Sequence, residues 1–443
     1  MKKILVIGAG RSAVTLIKYL LDNSVENNWL VKVADYSVGL AEDAVRNHEN
    51  GKAIFFNVTD DKQRVFEISE SDIVISMLPA SLHITVAKDC VRLKKNLVTA
   101  SYVSDEIAEL DEKAKEAGVL LLNEIGLDPG IDHMSAMQVI DGIKENGGTL
   151  TSFKSFCGGL VHPDYDNNPW NYKFTWNPRN VVLAGQGTAQ YIKQGKYKYI
   201  PYHKLFERTE NMEVLDAGEF EGYANRDSLG YRKAYGLENI PTLFRGTLRR
   251  KGYCKSWNMF VQLGMTDDTY IVEKSESVTY REFTNLFFPY NNELTVEQKF
   301  CEYLNISIDS EEFKKAEWLG VFENIKVDLK DATPAKILQK ICEEKWTLDS
   351  EDKDMVVMQH QFEYSQNGES KKLNSSLVVF GDDPRYTSMA KTVGLPVAIA
   401  TKLILSGAIK SIGVKIPTTK DIYVPVLKEL EQNGINFVEE YCM

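Results

Sequence analysis

The sequence predicts an α/β protein: a doubly wound parallel sheet, followed by a second α/β region with a mixed sheet and a helical insertion. Three observations carry this. The first third alternates short apolar runs with helical patterns at the spacing of strand–helix–strand units. A glycine-rich G-x-G-x-x-A turn, Gly8-Ala9-Gly10-Arg11-Ser12-Ala13, lies between the first strand and the first helix. Beyond Pro129 the apolar runs lengthen and alternate with period two, the mark of a sheet with one covered face.

The elements follow in order. Residues 3–7 read as a strand, and 12–21 as a helix with Val14, Ile17, Leu20 and Leu21 on one face. Strands are expected at 30–34, 53–56, 73–77, 96–99 and 119–123, and helices at 39–47, 84–93 and 104–117. Gly118 supplies the left-handed cap of the last of these helices. A helix at 133–146 ends at Gly147-Gly148; strands are then expected at 150–156, 256–263, 355–363 and 373–380. Residues 280–344 are charged and helical, clearest at 295–304 and 334–343, and the chain closes on helices at 387–405 and 422–433. No low-complexity linker separates these regions, so the domains are expected to interleave: 1–127 with 388–443, 128–279 with 345–387, and a helical insertion at 280–344.

Composition narrows the function. The 443 residues carry 52 Lys+Arg against 63 Asp+Glu, a net charge of −11, which argues against nucleic-acid binding through a broad basic face. No uninterrupted apolar run approaches the roughly 18–20 residues of a membrane span; the longest candidate, 393–409, contains Pro396 and Lys402. The first apolar run stops at Gly8, too short for a signal peptide. The six cysteines are scattered with no C-x-x-C, so neither a disulfide framework nor a metal site is expected, and the chain reads as a cytoplasmic protein with reduced thiols.

The glycine turn has a physical logic. Gly8 permits the tight turn, Gly10 clears the approach of a pyrophosphate, and Ala13 lets the helix sit close to the strand. Arg11 and Ser12 open a helix whose free N–H groups face the phosphate. Asp35 ends the second strand, 22 residues after Ala13. A carboxylate there accepts the ribose hydroxyls of NAD and repels the 2′-phosphate of NADP; it also reads as a cap for Tyr36-Ser37. NAD is therefore expected, with NADP as the alternative. Leu78-Pro79 lies past the fourth strand, where it either touches the cofactor or shapes a turn.

Three later stretches look chemical: Asn123–Met134 (NEIGLDPGIDHM), Ser155–Leu160 (SFCGGL), and Asn225–Ser228 (NRDS) with Phe244–Arg249 (FRGTLR). The last gathers positive charge on an acidic chain and points to an anionic ligand, since arginine grips carboxylates with a planar fork; the plain alternative is a solvated basic turn. Asp128 reads as an acid–base group or an Asp-Pro turn, and Cys157 as an active-site thiol or a small buried hydrophobe.

With the N-terminal turn, Ala100-Ser101-Tyr102, the stretch from Asn168 to Trp176 and Thr392–Pro396, these motifs resemble in order the glutamate-forming saccharopine dehydrogenases (saccharopine reductases). The resemblance implies oxidation of saccharopine by NAD(P) to an imine that water splits into glutamate and 2-aminoadipate 6-semialdehyde, a step of lysine metabolism. It implies a Rossmann-type domain completed by C-terminal helices, an α/β domain carrying substrate and dimer contacts, a smaller helical domain, and a homodimer. It assigns acid–base assistance to Tyr102, Asp128 and Cys157, and substrate contacts to Ser101, Tyr102, Arg226, Arg245 and Thr247. Fungal members carry Arg-Thr where this chain has Asp35-Tyr36 and use NADP, a departure that again favours NAD. Two other readings stand beside this one. A carboxynorspermidine-type dehydrogenase would need a more acidic pocket, and a non-catalytic NAD(H) sensor would not need the second-half motifs.

Overall fold

The computed structural model describes residues 1–442, which divide into two compact units: residues 1–150 with 364–442, and residues 151–363. In the first unit, strands β1 (Lys2–Ile7), β2 (Trp29–Asp35), β3 (Gly51–Phe55), β4 (Ile73–Ser76), β5 (Asn96–Val98) and β6 (Leu120–Leu122) form a parallel sheet in the order β6-β5-β4-β1-β2-β3. The order reverses at β1, between β2 and β4, which makes that point the ligand crevice of a doubly wound sheet. The strands are apolar on both faces because helices cover both; Leu5, Ile7, Val74, Leu97 and Leu121 lie in one buried cluster with Val86, Ile107 and Ala114 of the helices.

Helix Val14–Asp22 follows the glycine turn, and the helix expected at 104–117 is two pieces, Asp105–Ala108 and Asp111–Ala117, the second closed by Gly118 at φ +70°. Helix Asp61–Ser69 is not expected from its apolar spacing; its signal is Asp60, whose carboxylate accepts from Lys62 N–H and Gln63 N–H at 3.0 and 3.1 Å.

In the second unit, β7 (Thr149–Val161), β8 (Ala189–Lys193), β9 (Lys196–Ile200), β10 (Glu210–Glu213), β11 (Glu219–Ala224), β12 (Thr242–Arg250) and β13 (Asp354–Gln366) build a mixed sheet in the order β10-β11-β12-β7-β13, with the β8–β9 hairpin attached to β12. β12 runs parallel to β7 and antiparallel to β11. Two expectations are corrected here. Residues 256–263 are helix Tyr253–Leu263, not a strand: an almost continuously buried aromatic run looks the same in both states, and the glycines that bracket it, Gly252 at φ +87° and Gly264 at φ +82°, mark its ends. The basic segment is no solvated turn but the buried strand β12. The helices of 280–344 belong to this unit, where Trp170 packs among Tyr253, Trp257, Phe260 and Trp346.

The chain then returns to the first unit through β14 (Glu369–Phe380), β15 (Gly413–Lys415) and β16 (Val438–Cys442). β15 extends the parallel sheet beside β6, and β16 pairs with β14. Helix Ser388–Leu405 packs on helix Val14–Asp22; a Cβ on Gly394 would sit 3.0 Å from Leu16 N and 3.1 Å from Ser12 O, so the late glycine permits this contact. By length and composition this helix is apolar enough to cross a membrane, contrary to the reading of 393–409, but two-thirds of it is buried inside the protein. The units divide at 150/151 and 363/364 rather than at 127/128 and 387/388. Helix Ile131–Glu145 packs against helix Lys420–Gln432, Tyr423 Oη donating to Asp141 at 2.7 Å, and so belongs with the first unit.

Candidate functional site

The carboxyl edge of the first sheet gathers the cofactor-side candidates. After β1, Gly8 takes φ +105°, and a Cβ there would lie 2.8 Å from Met77 O; only glycine fits. Above Gly10 a Cβ would meet nothing within 4 Å, the open approach a pyrophosphate needs. Arg11 is exposed, Ser12 half-buried and Ala13 buried, so the 3₁₀ turn Arg11–Ala13 leads into helix Val14–Asp22 with its first N–H groups on the open side. The turn therefore fits a dinucleotide phosphate.

Asp35 ends β2 with both oxygens engaged. Oδ2 accepts Ala9 N–H at 2.8 Å, and Oδ1 accepts Ser37 N–H at 2.8 Å. It is thus the cap that one reading expected, and the same bonds hold a negative charge against the glycine turn. Leu78 lies half-buried and Pro79 exposed after β4, at the same edge as Ser101, Tyr102 and Asp128.

Ser101 follows β5. Its N–H donates to Thr99 Oγ1 at 3.2 Å, its carbonyl accepts Glu124 N–H at 3.0 Å, and its Oγ lies 2.7 Å from His83 Nε2. Tyr102 is 53% exposed. Asp128 is half-buried after β6, on a loop whose Asp128–Pro129 bond is cis. That loop closes on Gly130, where a Cβ would lie 2.1 Å from Gly126 O. Beneath it, Glu124 Oε2 meets His133 Nε2 at 2.9 Å, while Glu124 Oε1 accepts Val103 N–H at 3.0 Å. Sequence reasoning missed His83 and Glu124 as organisers of this edge. A lone histidine four residues after Pro79 carried no pattern, whereas Glu124 stood inside a motif already singled out.

The second unit gathers the substrate-side candidates on one sheet face. Register pairs Cys157 of β7 with Thr247 of β12, and Thr247 with Tyr223 of β11; Ser155 pairs with Arg245, and Glu221 with Arg249. Register partners share a face, so Ser155, Cys157, Arg245, Thr247, Arg249, Tyr223 and Glu221 lie on one side. On the other side Phe156 fills the space above Gly222 and Gly246, where a Cβ would come within 2.7 and 2.8 Å of its ring. The strand Thr242–Arg250 thus turns one side to packing under Phe156 and the other to the candidate residues.

Arg245 is only 3% exposed, its guanidinium 3.9 Å above the Tyr231 ring, and its backbone N–H donates to Ser228 Oγ at 2.9 Å. Thr247 Oγ1 donates to Asn225 Oδ1 at 2.7 Å, and Asn225 N–H to Arg245 O at 2.8 Å, which locks NRDS onto RGTLR. Arg226 is exposed in the loop after β11. Arg249 is buried among Tyr172, Tyr253 and Tyr223, at 5.0, 5.3 and 5.8 Å from the ring centres. Burial opposes its charge, yet the tyrosines outweigh that and hold it protonated above the ordinary arginine range. Among the described residues, no three His, Cys, Asp or Glu side chains gather as a metal site.

Residues 4–122 match the family model described as the saccharopine dehydrogenase NADP binding domain, and residues 126–435 match the saccharopine dehydrogenase C-terminal domain. The chain belongs to the saccharopine dehydrogenase family. It is 35% identical over 455 residues to the saccharopine dehydrogenase (NADP(+), L-glutamate-forming) of Saccharomyces cerevisiae, covering 99% of both chains. It is also 35% identical over 460 residues to the mitochondrial alpha-aminoadipic semialdehyde synthase of Mus musculus, covering 98% of this chain and 47% of that protein. The chain thus spans about half the length of those synthases. The apo saccharopine dehydrogenase (L-Glu forming) structure from Saccharomyces cerevisiae superposes with a TM-score of 0.91 at 32% identity, covering 100% of both chains. A homospermidine synthase from Legionella pneumophila shares the fold, with a TM-score of 0.54 at 10% identity over 100% of this chain and 91% of that one. The fold class expected from the sequence is therefore the family's fold. The fungal relatives are named for NADP(+), and none of these names supports NAD as the primary cofactor.

Proposed function

We propose that this protein interconverts saccharopine with L-glutamate and L-2-aminoadipate 6-semialdehyde, as a glutamate-forming saccharopine dehydrogenase. The observation that carries the reading is the shared sheet face of Cys157, Arg245 and Thr247 in the second unit. Those residues come from two separate motifs, and a redox sensor without a substrate has no use for them. Saccharopine has three carboxylates. The buried guanidinium of Arg245 and the more exposed one of Arg226 suit them, and Thr247 Oγ1, steadied by Asn225, offers a hydroxyl contact.

A nicotinamide dinucleotide, when bound, supplies the redox chemistry; Gly8, Gly10, Arg11, Ser12, Ala13 and Asp35 would hold it, with Leu78 and Pro79 along the same edge. The protein moves the protons. The carboxylate of Asp128 takes the proton of the water that adds to the imine carbon, and the Cys157 thiol and the Tyr102 hydroxyl assist transfer to the departing nitrogen. Ser101 holds substrate through its hydroxyl. The protein works as a homodimer, which light scattering tests directly as twice the chain mass.

The cofactor preference is part of the proposal. Asp35 favours NAD, because its carboxylate is fixed by Ala9 N–H and Ser37 N–H where a 2′-phosphate would meet a like charge. The relatives' names point the other way. Initial rates at 340 nm with saccharopine and each dinucleotide decide both points. Turnover with saccharopine and a higher kcat/KM with NAD is the expected result. A tenfold or greater preference for NADP overturns the cofactor reading, and no turnover with either overturns the substrate reading.

A further inference from the structure

His83 is the first residue of helix His83–Arg92 and is 1% exposed. Its two ring nitrogens each meet a hydroxyl. Nδ1 lies 2.8 Å from Oγ of Ser76, the last residue of β4, and Nε2 lies 2.7 Å from Oγ of Ser101, just beyond the end of β5. These strands are parallel neighbours, Ile75 opposite Val98, so one imidazole spans adjacent strand ends at the edge that holds Leu78, Pro79 and Asp128. We propose that His83 is a positioning residue: it fixes the Ser101 hydroxyl at the carboxyl edge of the sheet so that Ser101 meets the amino-acid substrate in a single orientation. The proposal rests on the saccharopine reading above and adds a residue that no motif singled out.

The geometry explains why histidine suits this place. A neutral imidazole has one N–H and one lone pair, and a hydroxyl can answer either, so both nitrogens are satisfied without an ion pair. Burial pushes the imidazole pKa down to about 4, outweighing an opposing hydrogen bond with the Leu78 backbone, so the ring stays neutral at ordinary pH. The Ser101 backbone is already held by Thr99 and Glu124. Only its hydroxyl remains free to rotate, and the contact with Nε2 removes that freedom. The Ser101 oxygen keeps capacity for one more partner, which is what a substrate contact requires.

The test compares two amides of different reach. The side chain of His83→Gln extends to the Nε2 position and meets Ser101, whereas that of His83→Asn stops near Nδ1 and meets only Ser76. Relative to wild type, His83→Asn raises the saccharopine KM by about tenfold, as Ser101→Ala does, a change of the size one lost polar contact produces. His83→Gln recovers most of that loss. Adding His83→Asn to Ser101→Ala changes KM by less than about twofold, because both act through one hydroxyl. Dinucleotide affinity, read from NAD(P)H fluorescence, stays constant throughout. Additive effects, or equal loss in the Asn and Gln variants that tracks only melting temperature, overturn the proposal in favour of a purely structural histidine. Wild-type protein that does not oxidise saccharopine overturns the substrate reading instead. The tie itself is then judged from ¹⁵N imidazole resonances: a changed His83 Nε2 signal in Ser101→Ala supports it, and an unchanged one overturns it.

Discussion

Acid should weaken this protein through His83, by an amount the structure allows to be worked out. In the unfolded chain a histidine takes up its proton near pH 6.5. In the fold, burial between Ser76 and Ser101 lowers that to about 4. Between these values the unfolded state binds more protons than the folded one, so stability falls as pH falls. The shift is worth about 3 kcal/mol in all, of which about 2 kcal/mol is lost on going from pH 7.5 to pH 5.0. Other groups titrate in the same window, so the useful quantity is a difference of differences. Urea denaturation of wild type and His83→Asn at the two pH values removes the shared part. The variant loses the hydrogen bond to Ser101 at both pH values, and that cost cancels. Wild type should therefore lose about 2 kcal/mol more than the variant over the interval. Equal losses, within about 0.5 kcal/mol, would refute the picture of a neutral imidazole held between two hydroxyls.

Four further outcomes follow from the geometry. Gly8→Ala forces an alanine into φ +105° with its Cβ 2.8 Å from Met77 O, and should cost about 1–3 kcal/mol in denaturation along with most dinucleotide binding. Asp35→Asn removes the charge held by Ala9 N–H and Ser37 N–H, and should lower the NAD:NADP ratio of kcat/KM by about tenfold or more; an unchanged ratio separates Asp35 from cofactor choice. Arg245→Ala should raise the saccharopine KM by about 10–100-fold while leaving dinucleotide affinity alone, read by steady-state kinetics with each substrate varied. Asp128→Ala and Cys157→Ala should each lower kcat by about 10²-fold or more with little change in NADH affinity, and normal turnover in both removes the acid–base assignment.

The parallel sheet was legible because its strands are covered on both faces. Leu5, Ile7, Val74 and Leu121 are all buried, so the runs are apolar without interruption, and turn residues separate them cleanly. The glycine turn was legible because its spacing has a mechanical reason. The misread elements failed for stated reasons. In residues 253–263 nine side chains are buried, and burial all round erases the 3.6-residue period that distinguishes helix from strand. Helix Asp61–Ser69 buries only Arg64 and Ile68, so it has almost no apolar stripe, and its cap Asp60 is the one local cue. His83 was invisible for a different reason. Its partners Ser76 and Ser101 are 7 and 18 residues away along the chain, and only the pairing of β4 with β5 brings them to one ring. The candidate site was readable as a set of residues; the hydrogen bonds that orient it were not.

Strand β12 shows where charge arithmetic helps and where it misleads. On a chain of net −11, the arginines of residues 245–250 stand out, and their charge alone suggests solvent. Alternation decides otherwise. Phe244, Gly246 and Leu248 turn to the packed side under Phe156, which places Arg245, Thr247 and Arg249 on the side of Cys157 and Tyr223. A buried guanidinium loses its hydration, and here aromatic faces replace part of it: Tyr231 for Arg245, and Tyr172, Tyr223 and Tyr253 for Arg249. Glu221, the register partner of Arg249, adds a buried carboxylate to the same face, its Oε1 accepting Cys254 N–H. The face thus brings the buried guanidiniums of Arg245 and Arg249 together with the buried carboxylate of Glu221. Which side chains share that face depends on the register of β12 rather than on the number of its arginines.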